Sequence, residues 1–339
     1  EVVGARLLGF DAILVAPIGW AKNWPQDAVP YVVGKEGERF NQRFWDQLNT
    51  KLDAVRDRGM GAYIMMYSDD ELTPDNFGLT PQSEKELRFF RYVIARLACY
   101  PHIIWDTGID IGEYRDDDWI NWFVQWFREH DPWHHPVGSR SGGGSGGMIP
   151  EKATYNSTGG AYIPSRNDLK EYLQSGIPIA HTDHWRPFIG RGDWNNRKIR
   201  IAHWRCALTG FQSLYPDYNQ GRGEWDKVIQ GGHFIGYATQ FFRNSVRSDL
   251  LKIKPHDELI KKGDEVILAA NPGEEYVLYD ENGGAVEIDL TDGKGKMQAR
   301  WYNPREGKYV ESKSFRGGKK HLFKSPSKGE DWVLHIFKI

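Results

Sequence analysis

Cysteine is scarce: Cys99 and Cys206 are the only two in 339 residues, and their spacing is that of neither a metal site nor a redox pair. Both are expected as buried free thiols on helices, and so few thiols fit oxidising and reducing compartments alike. No run of about 18 apolar residues occurs, so no helix is expected to cross a bilayer. An excess of one charge is missing too. The 44 Lys and Arg against 46 Asp and Glu leave a formal −2, which recommends neither nucleic acid nor an anionic membrane as a partner. The chain opens at Glu1 without a charged start and apolar segment, so no signal peptide is visible.

Aromatic residues, by contrast, abound. Fourteen Trp and 16 Tyr are more than one core needs, and about half are assigned to packing. The others suit the C–H faces of sugar rings, because each joins a flat apolar body to a polar tip.

From Gly9 to about Gln220 one theme repeats: a short apolar run ends in polar or aromatic residues and an amphipathic stretch follows, the pattern of successive βα units. Runs at 10–17, 62–67, 102–110, 136–139, 153–156, 177–183 and 210–215 predict seven strands. The first helix carries Phe40, Phe44, Leu48, Leu52 and Val55 on one stripe and stops at Gly59. The next carries Leu87, Phe90, Ile94 and Leu97, and a Trp-rich third carries Trp119, Phe123, Trp126 and Phe127. The expected architecture is α/β, a TIM-type (β/α)8 barrel over residues 1–260, its first strand missing or preceding Glu1. A helical stretch ends near Leu251, and from Glu265 the pattern changes to short strands at Val266–Ala270, Glu275–Tyr279, Val286–Leu290, Met297–Tyr302 and Trp332–Phe337. Asn282-Gly283 predicts a hairpin. Residues 264–339 therefore read as a small all-β sandwich.

In parallel β/α barrels the chemistry gathers where the strands end. Four such ends carry acids: Asp69, Asp70 and Glu71; Asp106 and Asp110; Asp183; and Asp217. Hydrolysis of a glycosidic bond needs one carboxyl held protonated and a second kept ionised. Asp110 follows Thr107-Gly108-Ile109, where the glycine lets the backbone turn the side chain to the mouth; it is the candidate acid/base. Asp183 closes the strongest later run, among His181, His184 and Trp185, and is the candidate nucleophile. One strand-end Asp alone is more often a helix cap or a solvated turn, so the pairing on matching strands carries the reading. Trp20, Trp24, Asp69, Asp70, His181, His184, Trp185, Arg186, Tyr215 and Asp217 are the candidate substrate-binding residues. Arg186, Arg191, Arg197 and Arg200 concentrate positive charge that suits a uronate or sulfate, or an ordinary salt-bridged face.

No cofactor is called for, and a metal is disfavoured: of His181, Asp183 and His184, only the first two share a strand face. The glycine-rich run 139–147 lacks the Lys-Ser/Thr ending of a phosphate-binding loop and reads as a strand-to-helix connection.

Ile103-Ile104-Trp105 with Gly108-Ile109-Asp110, and Ile177-Pro178-Ile179 through Asp183, resemble the fourth- and seventh-strand signatures of the apiosidase-like (β/α)8 glycoside hydrolases, bacterial enzymes of plant or algal polysaccharides. The resemblance extends over nearly the whole chain. Arg200-Ile201-Ala202-His203-Trp204 and Leu208-Thr209-Gly210 follow the family's next helix and last strand. Residues 299–307 and 329–334 are similar to the β-sandwich appended to these enzymes under a collagen-binding name. It implies a carbohydrate substrate, Asp110 as acid/base, and a secreted or periplasmic location. Two positions depart from the pattern: the family's second glycine is Ile109, and its glutamate nucleophile is Asp183. Retaining enzymes hold their carboxyls about 5–5.5 Å apart and inverting ones about 6.5–9.5 Å. A side chain one methylene shorter therefore implies a displaced nucleophile or a shift to inversion. A carbohydrate-binding barrel that has lost catalysis is the alternative reading. No feature sets an oligomeric state.

Overall fold

The computed structural model describes residues 6–7, 11–15, 31–34, 37–68, 73–108, 110–139, 149–159, 176–183, 195–213 and 231–339. These fall into two compact units, one holding the described residues up to 159 with 176–183, the other holding 195–213 and 231–339.

The first unit is a parallel β/α assembly. Its elements are β1 (Ala12–Val15), an antiparallel hairpin of β2 (Tyr31–Gly34) and β3 (Gly37–Phe40), α1 (Gln42–Arg56), β4 (Gly61–Tyr67), α2 (Glu84–Leu97), β5 (Ile103–Gly108), α3 (Asp117–His130), β6 (Val137–Gly138), β7 (Asn156–Gly159) and β8 (Ile179–Asp183). Strands β1, β4, β5 and β6 lie side by side in that order, all parallel. β7 and β8 form a second parallel pair. The β4 run Gly-Ala-Tyr-Ile-Met-Met-Tyr is buried from Ala62 onward, as a strand covered on both faces must be. Among the described residues the strands form one four-stranded parallel sheet and one parallel pair that do not close into a barrel, so the expected barrel is met in its parallel β/α pattern and not in its closure.

Each helix begins at a side-chain cap. Asn41, Ser83 and Asp116 accept from the backbone N–H of Phe44, Glu86 and Trp119 respectively, satisfying donors that a helix start leaves unpaired. Phe40, expected on the first helix, instead closes β3 and stacks on Tyr92 at 3.8 Å. The buried faces are Phe44, Trp45, Leu48, Leu52 and Val55 on α1, Phe89, Phe90, Val93, Ile94 and Leu97 on α2, and Trp119, Ile120, Phe123, Val124, Trp126 and Phe127 on α3. They share one core with Ile64, Met66, Tyr67 and Trp105 of the sheet. Of the nine Trp among the described residues, seven are buried, namely Trp45, Trp105, Trp119, Trp126, Trp204, Trp301 and Trp332, while Trp122 is half-buried and Trp133 exposed.

The second unit contains α4 (Asn196–Thr209), β9 (Phe211–Ser213), α5 (Gly232–Asn244) and the all-β segment: β10 (Lys254–Pro255), β11 (Ile260–Lys262), β12 (Val266–Asn271), β13 (Glu275–Asp280), β14 (Ala285–Asp289), β15 (Lys296–Asn303), β16 (Lys308–Arg316), β17 (Lys320–Lys324) and β18 (Trp332–Lys338). A six-stranded antiparallel sheet runs β10-β12-β13-β18-β15-β16, and a three-stranded one runs β11-β14-β17. Val266, Leu268, Leu278, Trp301 and Leu334 pack with Val286 and Ile288 of the small sheet. Alternate residues Ile267, Ala269, Val277, Tyr279 and Val333 pack with Ile201, Trp204 and Leu208 of α4 and Ala238 and Phe241 of α5. The large sheet is thus dry on both faces through its middle.

Two polar networks make that burial tolerable. Arg200 on α4 grips Asp331 with two hydrogen bonds of 2.8 Å, Tyr279 donates to the same carboxylate at 2.9 Å, and Arg305 adds a third cationic contact at 3.2 Å. Burial alone would raise the Asp331 carboxyl, but Arg200, Tyr279 and Arg305 outweigh it and hold it below its ordinary value. Glu275 accepts from the backbone N–H of Arg247 at 3.0 Å and of Ser248, and lies 2.6 Å from Nε2 of His335, whose Nδ1 is 2.8 Å from the Tyr309 hydroxyl. Burial lowers His335, keeping the ring neutral against the pull of Glu275; Nε2 then donates to Glu275 and Nδ1 accepts from Tyr309.

Several expectations change here. Asn282-Gly283 is no hairpin turn, because it leads from β13 in the large sheet to β14 in the small one. Gly283 has φ +63°, and a Cβ there would lie 2.3 Å from the Ser327 carbonyl oxygen. β16 and β17 escape the apolar pattern because neither holds a fully buried residue, β16 carrying Lys308, Ser312, Lys313 and Ser314 and β17 bounded by Lys320 and Lys324, the dress of edge strands. Of the two thiols, Cys206 is buried, which pushes it far above the ordinary range, while Cys99 is exposed just past α2.

Removing one partner of the Arg200–Asp331 pair strands a buried charge, and Arg200→Met is expected to cost about 3–5 kcal/mol in urea unfolding, most of it recovered in the double variant with Asp331→Leu. Asp280 runs the other way. Burial pushes its carboxyl up to about 6, against hydrogen bonds from the N–H groups of Asn282 and Gly283. A raised carboxyl binds its proton more tightly folded than unfolded, so it loses stability as pH rises from about 4 to 6. Asp280→Asn should therefore stabilise at pH 7 by about 1–2 kcal/mol, a gain that vanishes below pH 4 in denaturation series across pH.

Candidate active site

The carboxyl end of β5 is built around a backbone contact that only glycine permits. Gly108 has φ +138°, and a Cβ on it would sit 2.3 Å from the carbonyl oxygen of Tyr67, its register partner on β4. Two residues on, Asp110 adopts φ +45°, ψ +39°, the left-handed conformation that Asp and Asn tolerate better than other side chains. Its carbonyl oxygen accepts from Glu113 N–H at 2.9 Å and opens the short turn Ile111–Glu113. Ile111 is wholly buried in the core and anchors the turn, leaving Asp110 half-buried above it. β5 thus ends at Gly108, and Asp110 stands on a turn beyond the strand.

Beneath it the strand is polar in a way the sequence left unassigned. Asp106, expected at the strand end, lies within β5 and is buried; one oxygen accepts from Gly108 N–H at 3.0 Å and the other lies 2.6 Å from the Tyr155 hydroxyl. Thr107 and Ser139 share a hydrogen bond of 2.9 Å. At the end of β4, Glu86 is fully buried and receives Tyr67 Oη–H at 2.7 Å, Gln82 N–H at 2.5 Å and Trp119 Nε1–H at 3.2 Å, with Arg115 at 3.5 Å. Burial raises this carboxyl in spite of those donors. The Ser83-x-x-Glu86 spacing is a helix-start signal and was the available clue to Glu86; Tyr155 carried none beyond its place in an apolar run.

Asp183 is the last residue of β8, and it pairs in register with Gly159 of β7; His181 stands two residues earlier on the same strand. Trp20, Trp24, Asp69, Asp70, His184, Trp185, Arg186, Tyr215 and Asp217 lie outside the described residues. The structure therefore puts Asp110 and Asp183 each at or just past the carboxyl end of a parallel strand. No group of three His, Cys, Asp or Glu able to hold a metal gathers among the described residues, and none of their helices is long and apolar enough to cross a membrane. A half-exposed carboxyl on a fixed turn can give and take a proton at a bound molecule, while a buried carboxylate clamped by a tyrosine, as at Asp106, holds shape.

Gly108→Ala is expected to cost at least about 2 kcal/mol, since it combines a positive φ with a backbone collision that no rotamer relieves; urea midpoints would register it, and an unchanged midpoint would refute this account of the strand end.

Residues 255–336 match the family described as "Putative collagen-binding domain of a collagenase". No curated protein matches the sequence. Solved structures match along the whole chain. A glycoside hydrolase family 5 protein from Bacteroides vulgatus ATCC 8482 is 17% identical with a TM-score of 0.74, over 99% of this chain and 84% of that one. A structure described as a glycoside hydrolase is 13% identical with a TM-score of 0.71, over 99% and 87%. A monomeric beta-xylosidase from Caulobacter crescentus CB15 is 9% identical with a TM-score of 0.51, over 99% and 91%. The chain thus has the fold of these glycoside hydrolases, completed by a C-terminal antiparallel β-module that matches the collagen-binding family.

Proposed function

We propose that the protein is a glycoside hydrolase that cleaves a plant or algal polysaccharide or oligosaccharide, with Asp110 as general acid/base and Asp183 as nucleophile or as base for water. Fold likeness to glycoside hydrolases over 99% of the chain supports the class. The observation that carries the assignment is the left-handed, half-buried Asp110 on a turn fixed by Gly108 and Ile111. A carboxyl so held cannot drift with the loop beyond it, and proton transfer rewards such fixed placement. Asp183, one methylene shorter than glutamate, favours a wide carboxyl pair that admits water, and so inversion. Trp20, Trp24 and Trp185 would form sugar platforms, with Asp69, Asp70, His181, His184, Arg186, Tyr215 and Asp217 completing the subsites. The barrel segment 1–260 and the sandwich 264–339 would act as one secreted or periplasmic enzyme on substrates too large to enter a cell.

A panel of defined oligosaccharides tests this, with products followed by NMR for their anomeric form. Asp110→Asn keeps the left-handed turn, so it should fold normally while lowering turnover about 10²–10⁴-fold, and Asp183→Asn should do the same. Full activity in Asp183→Asn would remove that residue from the pair. Binding without turnover by the unaltered protein would replace the enzyme reading with that of a carbohydrate-binding barrel.

A further inference from the structure

The helices α4 and α5 cover the middle of the large sheet, but its outer face continues along β15 and β16 towards the end where Lys296 and Arg316 lie. There Lys296, Gln298 and Arg300 stand opposite Arg316, Ser314 and Ser312 respectively. Lys296, Ser312, Ser314 and Arg316 are exposed. Two cations facing each other directly across an antiparallel pair destabilise it, yet Lys296 and Arg316 occupy such a position. Two more cations join them. The Arg300 guanidinium lies 3.6 Å from the ring centroid of Tyr309, and that of Arg247 lies 3.7 Å from the ring centroid of Phe337, next to Gln298 in register. None of the four forms a salt bridge among the described residues. Glu275 is engaged by His335 and two backbone amides, and Glu274 by Lys338. Glu311 pairs with Trp301, whose side chain belongs to the inner face.

We propose that this face docks an acidic polysaccharide, with carboxylate or sulfate groups on Lys296, Arg316, Arg300 and Arg247 and sugar hydroxyls on Gln298, Ser312 and Ser314. Planar guanidiniums held flat on aromatic rings present their N–H edges in a fixed fork, the geometry that carboxylate and sulfate groups accept. Edge-strand protection accounts for charge on β16 but not for a repulsive pair on the face. Single-stranded nucleic acid fits less well, because the aromatic faces on which bases would stack are taken by the two arginines. That the polyanion is a glycan rests on the hydrolase reading; the cationic face itself does not.

Affinity electrophoresis of the full chain through gels containing polygalacturonate, dextran sulfate or neutral galactomannan tests the proposal, with poly(dT) as a competitor. Both acidic gels, or one of them, should retard the protein and the neutral gel should not; the arm that retards it separates uronate from sulfate. Lys296→Glu and Arg316→Glu should each weaken the apparent affinity about tenfold, while thermal unfolding occurs no lower than in the wild type, since each turns a repulsion into an attraction. Equal mobility in all gels, unchanged retardation of both variants, or competition by poly(dT) as strong as by the acidic glycan would overturn it. Asp110→Asn should be retarded like the wild type. A protein that binds acidic glycan yet cleaves nothing in the oligosaccharide panel would defeat the catalytic reading and leave this one standing.

Discussion

A sheet buried on both faces has nowhere to put a polar group except against another, and the second unit depends on how Asp331 resolves that constraint. The carboxylate gathers Arg200 from α4, Tyr279 from β13 and Arg305 from the turn between β15 and β16. A helix, a central strand and a turn are thereby fixed to one residue at the start of β18. Arg305 also lies over the ring of Trp332, 4.6 Å from its centroid, and Gly307 closes the turn where any Cβ would meet the Tyr237 ring at 2.6 Å. The two most distinctive phrases of this region, 299–307 and 329–334, are the two sides of this junction. Charge burial of this kind contributes less to net stability than to the choice of one arrangement, because a shifted helix leaves a charge without its partner.

The first unit meets a related demand differently. Its strands are covered by aromatic-rich helices, and its polar groups are kept near the strand ends: Asp106 with Tyr155, Thr107 with Ser139, Glu86 with Tyr67 and Trp119. Such pairs stiffen the platform on which loop residues act. Asp110 is the visible beneficiary, since the backbone on either side of it is pinned, by the close approach of Gly108 to β4 and by Ile111 in the core.

Strands that are dry on both faces were readable as apolar runs, and β4 and the core of β12 and β13 follow them closely because burial alone dictates those residues. Helix stripes were equally legible, since the three- and four-residue spacing of Phe44, Leu48, Leu52 and Val55 has no other use. What stayed hidden depends on neighbours distant in sequence. β16 and β17 bury little, so no periodicity marks them. Asn282-Gly283 reads locally as a hairpin, and only the partners of β13 and β14 reveal a change of sheet. The place of Asp110 beyond the strand could be guessed from Gly108, but the Asp106–Tyr155 contact joins residues 49 apart and leaves no local trace.

The left-handed turn at Asp110 has an evolutionary consequence. The residues that sit there with least strain are Gly, Asn and Asp, and in the genetic code an aspartate codon lies a single base change from glycine and from asparagine. The backbone that presents the proposed acid would therefore accept its loss without unfolding. On the proposed reading, a single base change would remove the acid/base and leave the scaffold its shape.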